Sequence, residues 1–92
     1  MANKHDKKVE QIAKRLEREG YTVKTDISGY ETPDGVGKNN YIPDIVAKKT
    51  SSTKIIEVET QSSLKTDKDQ QEAFKRSAAQ SRGTSFGIEM AD

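Results

Sequence analysis

The sequence predicts a small α/β (α+β) domain whose elements run α-β-β-β-α-β. Three patterns carry that expectation: an apolar stripe at helical spacing near the start, two apolar runs joined by a turn-forming stretch, and a final helical pattern followed by strand-like alternation. At 92 residues the chain has room for one domain, taken as residues 1–92. Only 30% of residues are apolar and 34% are charged, so the core must be thin and concentrated in those patterned segments.

From Lys7 to Glu19, Val9, Ile12, Ala13 and Leu16 form one stripe on an otherwise charged segment, which is the mark of an amphipathic helix. Asn3 or Asp6 can cap its start, and Gly20 supplies the residue that commonly ends a helix. Tyr21 to Ile27 alternates, with threonines adding β-preference, and reads as a strand. Residues 28–41, from Ser28 to Tyr41, are rich in Gly, Asn, Asp and Pro and form the expected flexible loop. Tyr41–Lys48 and Lys54–Thr60 then read as a β-hairpin across Lys49-Thr50-Ser51-Ser52-Thr53. Thr66 and Asp69 have capping-box spacing ahead of a second helix, Asp67 to Gln80, with Ala73, Phe74 and Ala78 on one side. Arg82-Gly83 closes it, and Thr84 to Met90 alternates as a last strand.

The net charge of +1 gives no global footprint for a polyanion, so one would have to be held by a local basic patch or through bound metal. The absence of cysteine excludes disulfides, thiolate metal sites and cysteine nucleophiles. No apolar stretch at the polar N-terminus suits a signal peptide or a membrane span, so the expectation is a soluble cytoplasmic protein with no membrane partner.

Alternation along the second hairpin strand puts Glu57 and Glu59 on one face. A hairpin symmetric about Thr50 and Ser51 places Asp44 opposite Glu57 and Ile42 opposite Glu59, so three acids share that face. Opposed residues lie roughly 5 Å apart at Cβ. Like charges at about 4 Å repel by on the order of 4 kcal/mol at an effective dielectric near 20, so the cluster needs a retained proton, covering lysines or a bound cation. A hard divalent cation, Mg²⁺ or Mn²⁺, is the economical choice, and it points to phosphodiester chemistry. The alternative is an exposed sheet face whose acids are matched by lysines. The flanking residues Ile45, Val46, Ala47, Ile55, Ile56 and Val58 weigh against it, because runs apolar on both faces belong to strands covered by helices.

Pro43-Asp44, a hairpin turn and Glu57-Val58-Glu59 together resemble the signature of the PD-(D/E)XK nucleases, with glutamate at the position where that family normally has lysine. The resemblance covers nearly the whole chain and implies a restriction-endonuclease-like αβββαβ core, a mixed sheet flanked by two helices. In compactness the chain is most similar to archaeal Holliday-junction resolvases. There a glutamate of the first helix approaches the metal site, which implies Glu10. Many members carry a glutamine in a Gln-x-x-x-aromatic pattern on the second helix, which implies Gln70 ahead of Phe74. The resemblance thus implies metal ligation by Asp44, Glu57 and Glu59, with Glu59 also able to act as general base, and support from Glu10 and Gln70.

Pro33-Asp34 is a second Pro-Asp pair, but Asp34 leads into Gly35-Val36-Gly37-Lys38, a turn without rigid support for a ligand. His5, the one histidine, is expected in a frayed terminus and receives no role. Lys38, Lys48, Lys65, Lys75 and Arg76 are weak candidates for contacts to a nucleic-acid backbone. The leading expectation is a metal-dependent endonuclease acting on branched or structured DNA as a homodimer. A catalytically degenerate module of the same fold, binding nucleic acid or a protein, is the second. A small subunit completed by a partner protein is the third, since the core is meagre.

Overall fold

The computed structural model describes residues 4–91. The elements are α1 (Lys4–Arg18), β1 (Thr22–Thr25), β2 (Ile45–Lys49), β3 (Ser52–Glu59), α2 (Gln61–Thr66), α3 (Lys68–Gln80) and β4 (Thr84–Met90). The strands form one mixed sheet in the order β1-β2-β3-β4. β1 and β2 pair antiparallel, as do β2 and β3, whereas β4 runs parallel to β3. A parallel neighbour cannot follow a tight turn, and α2 with α3 supplies the crossover.

The α1 stripe of Val9, Ile12, Ala13 and Leu16 is buried against Val23, Ile45, Ala47, Ile56 and Val58. Because Ile56 and Val58 face α1, alternation turns Ile55, Glu57 and Glu59 to the other face, beneath α3. That second face is closed by Phe74 and Ala78 of α3. The Phe74 ring meets Tyr41 edge-on at 6.3 Å and Phe86 at 6.0 Å between centroids. The acids therefore lie between a sheet and a helix, with a paired strand on either side of β3.

The hairpin keeps the expected register, with Ile45 opposite Ile56 and Ala47 opposite Lys54 across a two-residue Thr50-Ser51 turn. The ladder stops at Ile45, so the expected pairing of Ile42 with Glu59 does not form and Ile42 is exposed. The loop before it is tied down at its ends. Glu31 accepts from the Thr25 N–H, and Val36 and Tyr41 form a bridge around a turn.

Three local expectations are corrected. Asp6 lies inside α1, which starts at Lys4, so it is a first-turn residue and not a cap; Asn3 lies outside the described residues. The capping box belongs to Thr60 and Ser63, which open the additional short helix α2. Thr66 therefore ends α2, bonding the Ser62 and Ser63 carbonyls, and α3 starts without a side-chain cap. Ser63 wins because Thr60 directly follows a strand, in the extended conformation that an N-cap requires.

Gly83 has φ +77°, and its carbonyl accepts from Thr53, joining the start of β4 to β3. A Cβ there would sit 2.6 Å from the Ser51 carbonyl oxygen. Gly83→Ala is expected to cost about 2 kcal/mol through left-handed strain and that clash. In a chain this size that is a fall in Tm on the order of 10 °C by thermal unfolding, and a change below about 2 °C would show that the turn relaxes freely.

Candidate metal centre

Pro43 is buried and delivers the chain to Asp44, one residue before β2 begins. Where the ladder would continue, side chains replace main chain. The Asp44 N–H donates to Glu57 Oε1 at 2.7 Å, and the Val58 N–H donates to Asp44 Oδ2 at 2.8 Å. This reciprocal pair holds both carboxylates in fixed rotamers against rigid backbone. Glu59, two residues on, shares the Glu57 face, and one carboxylate oxygen from each of the three acids lies within 4.8 Å of the others.

Glu57 and Glu59 are 2% and 1% exposed. Burial first, and then the Asp44 charge, pushes the Glu57 carboxyl up to about 8; the Asp44 N–H works against that rise and the Glu59 carboxyl adds to it. Glu59 is also raised, chiefly by burial and with the charges of Asp67 and Asp44 in support, while Ser63 and Glu57 hydrogen bonding opposes. Glu59 Oε2 is buried with no hydrogen-bond partner among the described residues. A buried acceptor left unpaired costs about 1–3 kcal/mol, which a bound cation recovers. The donor set is all oxygen and carries excess negative charge, so it fits a hard divalent ion.

Gln70 of α3 donates from Nε2 to Glu57 Oε2 at 3.3 Å, so the helix lays its amide over the cluster. Among the described residues, no lysine or arginine ion-pairs with Asp44, Glu57 or Glu59. The basic group that does reach the cluster is His5, whose Nε2 lies 3.2 Å from Asp44 Oδ2 and whose Nδ1 lies 3.0 Å from Asp6 Oδ1. Burial lowers the His5 pKa, but the two carboxylates outweigh it and hold it above the usual value. Sequence reasoning missed His5 because it treated the terminus as frayed. The available signal was its spacing, one turn before Val9 on the buried side of α1.

Glu10 is not brought to the site. It is exposed on the flank of the Val9–Ile12 stripe and pairs with Lys14 at 3.4 Å, because helical phase turns it outward. Lys38 and Arg76 line one groove of about 690 Å³ between the Val36–Tyr41 turn and α3, together with Asp69 and Glu72. Lys75 lines a separate groove beside Phe86 and Ile88 of β4. Lys48 lies on β2 near the hairpin end, Lys65 lies in the last turn of α2, and Asp34 stands outside the carboxylate group.

A four-stranded mixed sheet with helices on both faces and a buried acidic cluster on its central hairpin is the architecture of a restriction-endonuclease-like core. The family model described as AHJR-like, REase_AHJR-like, matches residues 1–92, and the chain belongs to that restriction-endonuclease-like family. No curated protein and no solved structure matches the chain. Among the described residues, no helix is long and apolar enough to cross a membrane.

Proposed function

We propose that this protein is a metal-dependent endonuclease that hydrolyses phosphodiester bonds of DNA, with Mg²⁺ or Mn²⁺ held by Asp44, Glu57 and Glu59. The observation that carries this reading is the Glu59 Oε2 atom, buried without a partner among the described residues inside a converging carboxylate group. When bound, the cation supplies Lewis acidity and positive charge toward the phosphate. Asp44 and Glu57 would hold it with carboxylates whose orientation is set by the reciprocal backbone bonds. Gln70 keeps Glu57 oriented. Glu59 stands where the family signature has lysine; with its pKa raised it is suited to take a proton from an attacking water, as a general base requires. Branched or structured DNA is the substrate we favour from the family resemblance, with Lys38 and Arg76, which line one groove, as candidates for contacts to its backbone. A homodimer is supported by the edge strand β4, which leaves Ile88 and Met90 exposed.

A second reading, a catalytically silent binding module, is favoured by the absence of any lysine or arginine paired with the cluster among the described residues. Labelled junctions, flaps, duplex, single strands and RNA incubated with purified protein in Mg²⁺ or Mn²⁺ separate the two. Cleavage of a DNA substrate that stops in EDTA is expected. If every substrate stays intact in both metals while DNA binding persists in EDTA, the enzyme reading fails and the binding module stands.

A further inference from the structure

We infer that His5 is a positioning residue of the metal centre, fixing Asp44 from the helix side while β3 fixes it from the sheet side. The inference rests on the metal-centre reading above. α1 is helical from Lys4, and His5 lies one turn before the buried Val9, so its ring runs past the end of the apolar stripe to the sheet end where Asp44 sits. Asp44 Oδ2 accepts from the Val58 N–H at 2.8 Å and faces His5 Nε2 at 3.2 Å. Both nitrogens lie within hydrogen-bond distance of that one oxygen, which would hold the carboxylate in place and leave Oδ1 for a cation. Asp6 Oδ1, 3.0 Å from Nδ1, fixes the other end of the ring and so its orientation.

Among the described residues the converging ligand group consists of the three acids, which puts His5 behind Asp44 and not among the ligands. A group that orients a metal ligand through its second oxygen acts on affinity without touching the ion, and losing such a partner typically weakens metal binding about 10–100-fold. His5 also supplies the cluster with the contact from a basic side chain that no lysine or arginine makes among the described residues.

The test is Mn²⁺ titration calorimetry on the full chain, as wild type, His5→Ala, His5→Gln and Asp44→Asn, with metal-free thermal unfolding of each. The expected result is a Kd about 10–100-fold weaker for His5→Ala, with metal-free unfolding still cooperative, and recovery to within about threefold in His5→Gln, whose Nε2 amide can donate to the same Oδ2. An affinity for His5→Ala equal to that of the wild type overturns the positioning role and leaves the metal centre intact. Weakening that His5→Gln does not rescue also overturns it, since helix packing and not the donor would then be responsible. A wild type with no Mn²⁺ affinity overturns this inference and the metal-dependent reading together, so the two failures are told apart by the wild-type trace.

Discussion

Asp44→Asn is expected to reduce metal-dependent DNA cleavage by at least about 10³-fold, a loss of about 4 kcal/mol of transition-state stabilisation. The substitution is nearly isosteric. The carbonyl of the new amide can still accept the Val58 N–H, and the main-chain N–H to Glu57 is untouched, so the hairpin end keeps its geometry. What changes is the charge, and the amide NH₂ presents donors where a cation needs an acceptor. Single-turnover cleavage of a labelled substrate, with the metal-free Tm alongside, separates chemistry from folding. Activity within tenfold of the wild type at equal Tm would remove Asp44 from the machinery.

The second large effect is a loss of stability with rising pH in metal-free protein. The Glu57 carboxyl releases its proton at about 8 when folded, against an ordinary value of 4.5. Between those values the folded chain holds a proton that the unfolded chain has lost, so stability falls as pH rises through that window. His5 adds with the same sign, because its folded pKa is also raised, and its contribution is present below its ordinary value and lost above the folded one. In EDTA, Tm is expected to drop by on the order of 10 °C between pH 5 and pH 8.5, and Mn²⁺ at pH 8.5 is expected to restore it. Glu57→Gln imitates the protonated acid. Its carbonyl can keep the bond from the Asp44 N–H, and a flip of the Gln70 amide offers an oxygen to the new NH₂. Most of the pH dependence should vanish in this variant, with the alkaline Tm raised above the wild type. A wild-type Tm that is flat with pH in EDTA would contradict the buried, proton-retaining arrangement.

The hairpin illustrates what a local pattern can and cannot encode. Thr50-Ser51 fixes the register, because a two-residue turn leaves one way to pair the flanking apolar runs, and Ile45 does lie opposite Ile56. From there, alternation alone puts Glu57 and Glu59 side by side and Asp44 near them. Alternation does not show that the ladder breaks at Ile45, nor that bonds from the Asp44 and Val58 N–H groups to the Glu57 and Asp44 carboxylates then take the place of main-chain ones. Gln70 was legible through its spacing from Phe74, since residues four apart on a helix share a face and Phe74 must be buried. Ser63 was not legible, because Thr66 and Asp69 show the same capping pattern and sequence offers no means of ranking the two.

Glu10 and His5 mark the boundary most clearly. Both lie on α1, and either could serve a site at the sheet end on the strength of sequence. Helical phase relative to Val9 and Ile12 turns Glu10 to solvent, and the packing of α1 on the sheet brings His5 to Asp44. The order of the elements other than the added α2, the apolar stripe, the hairpin register and the shared face of Glu57 and Glu59 are settled by the sequence, because each depends on backbone periodicity over a few residues. The burial of Glu57 and Glu59, the pairing of Asp44 with Val58 and His5, and the raised proton affinity of Glu57 belong to the tertiary structure. They depend on which helix ends meet the sheet, and on water being excluded where they meet.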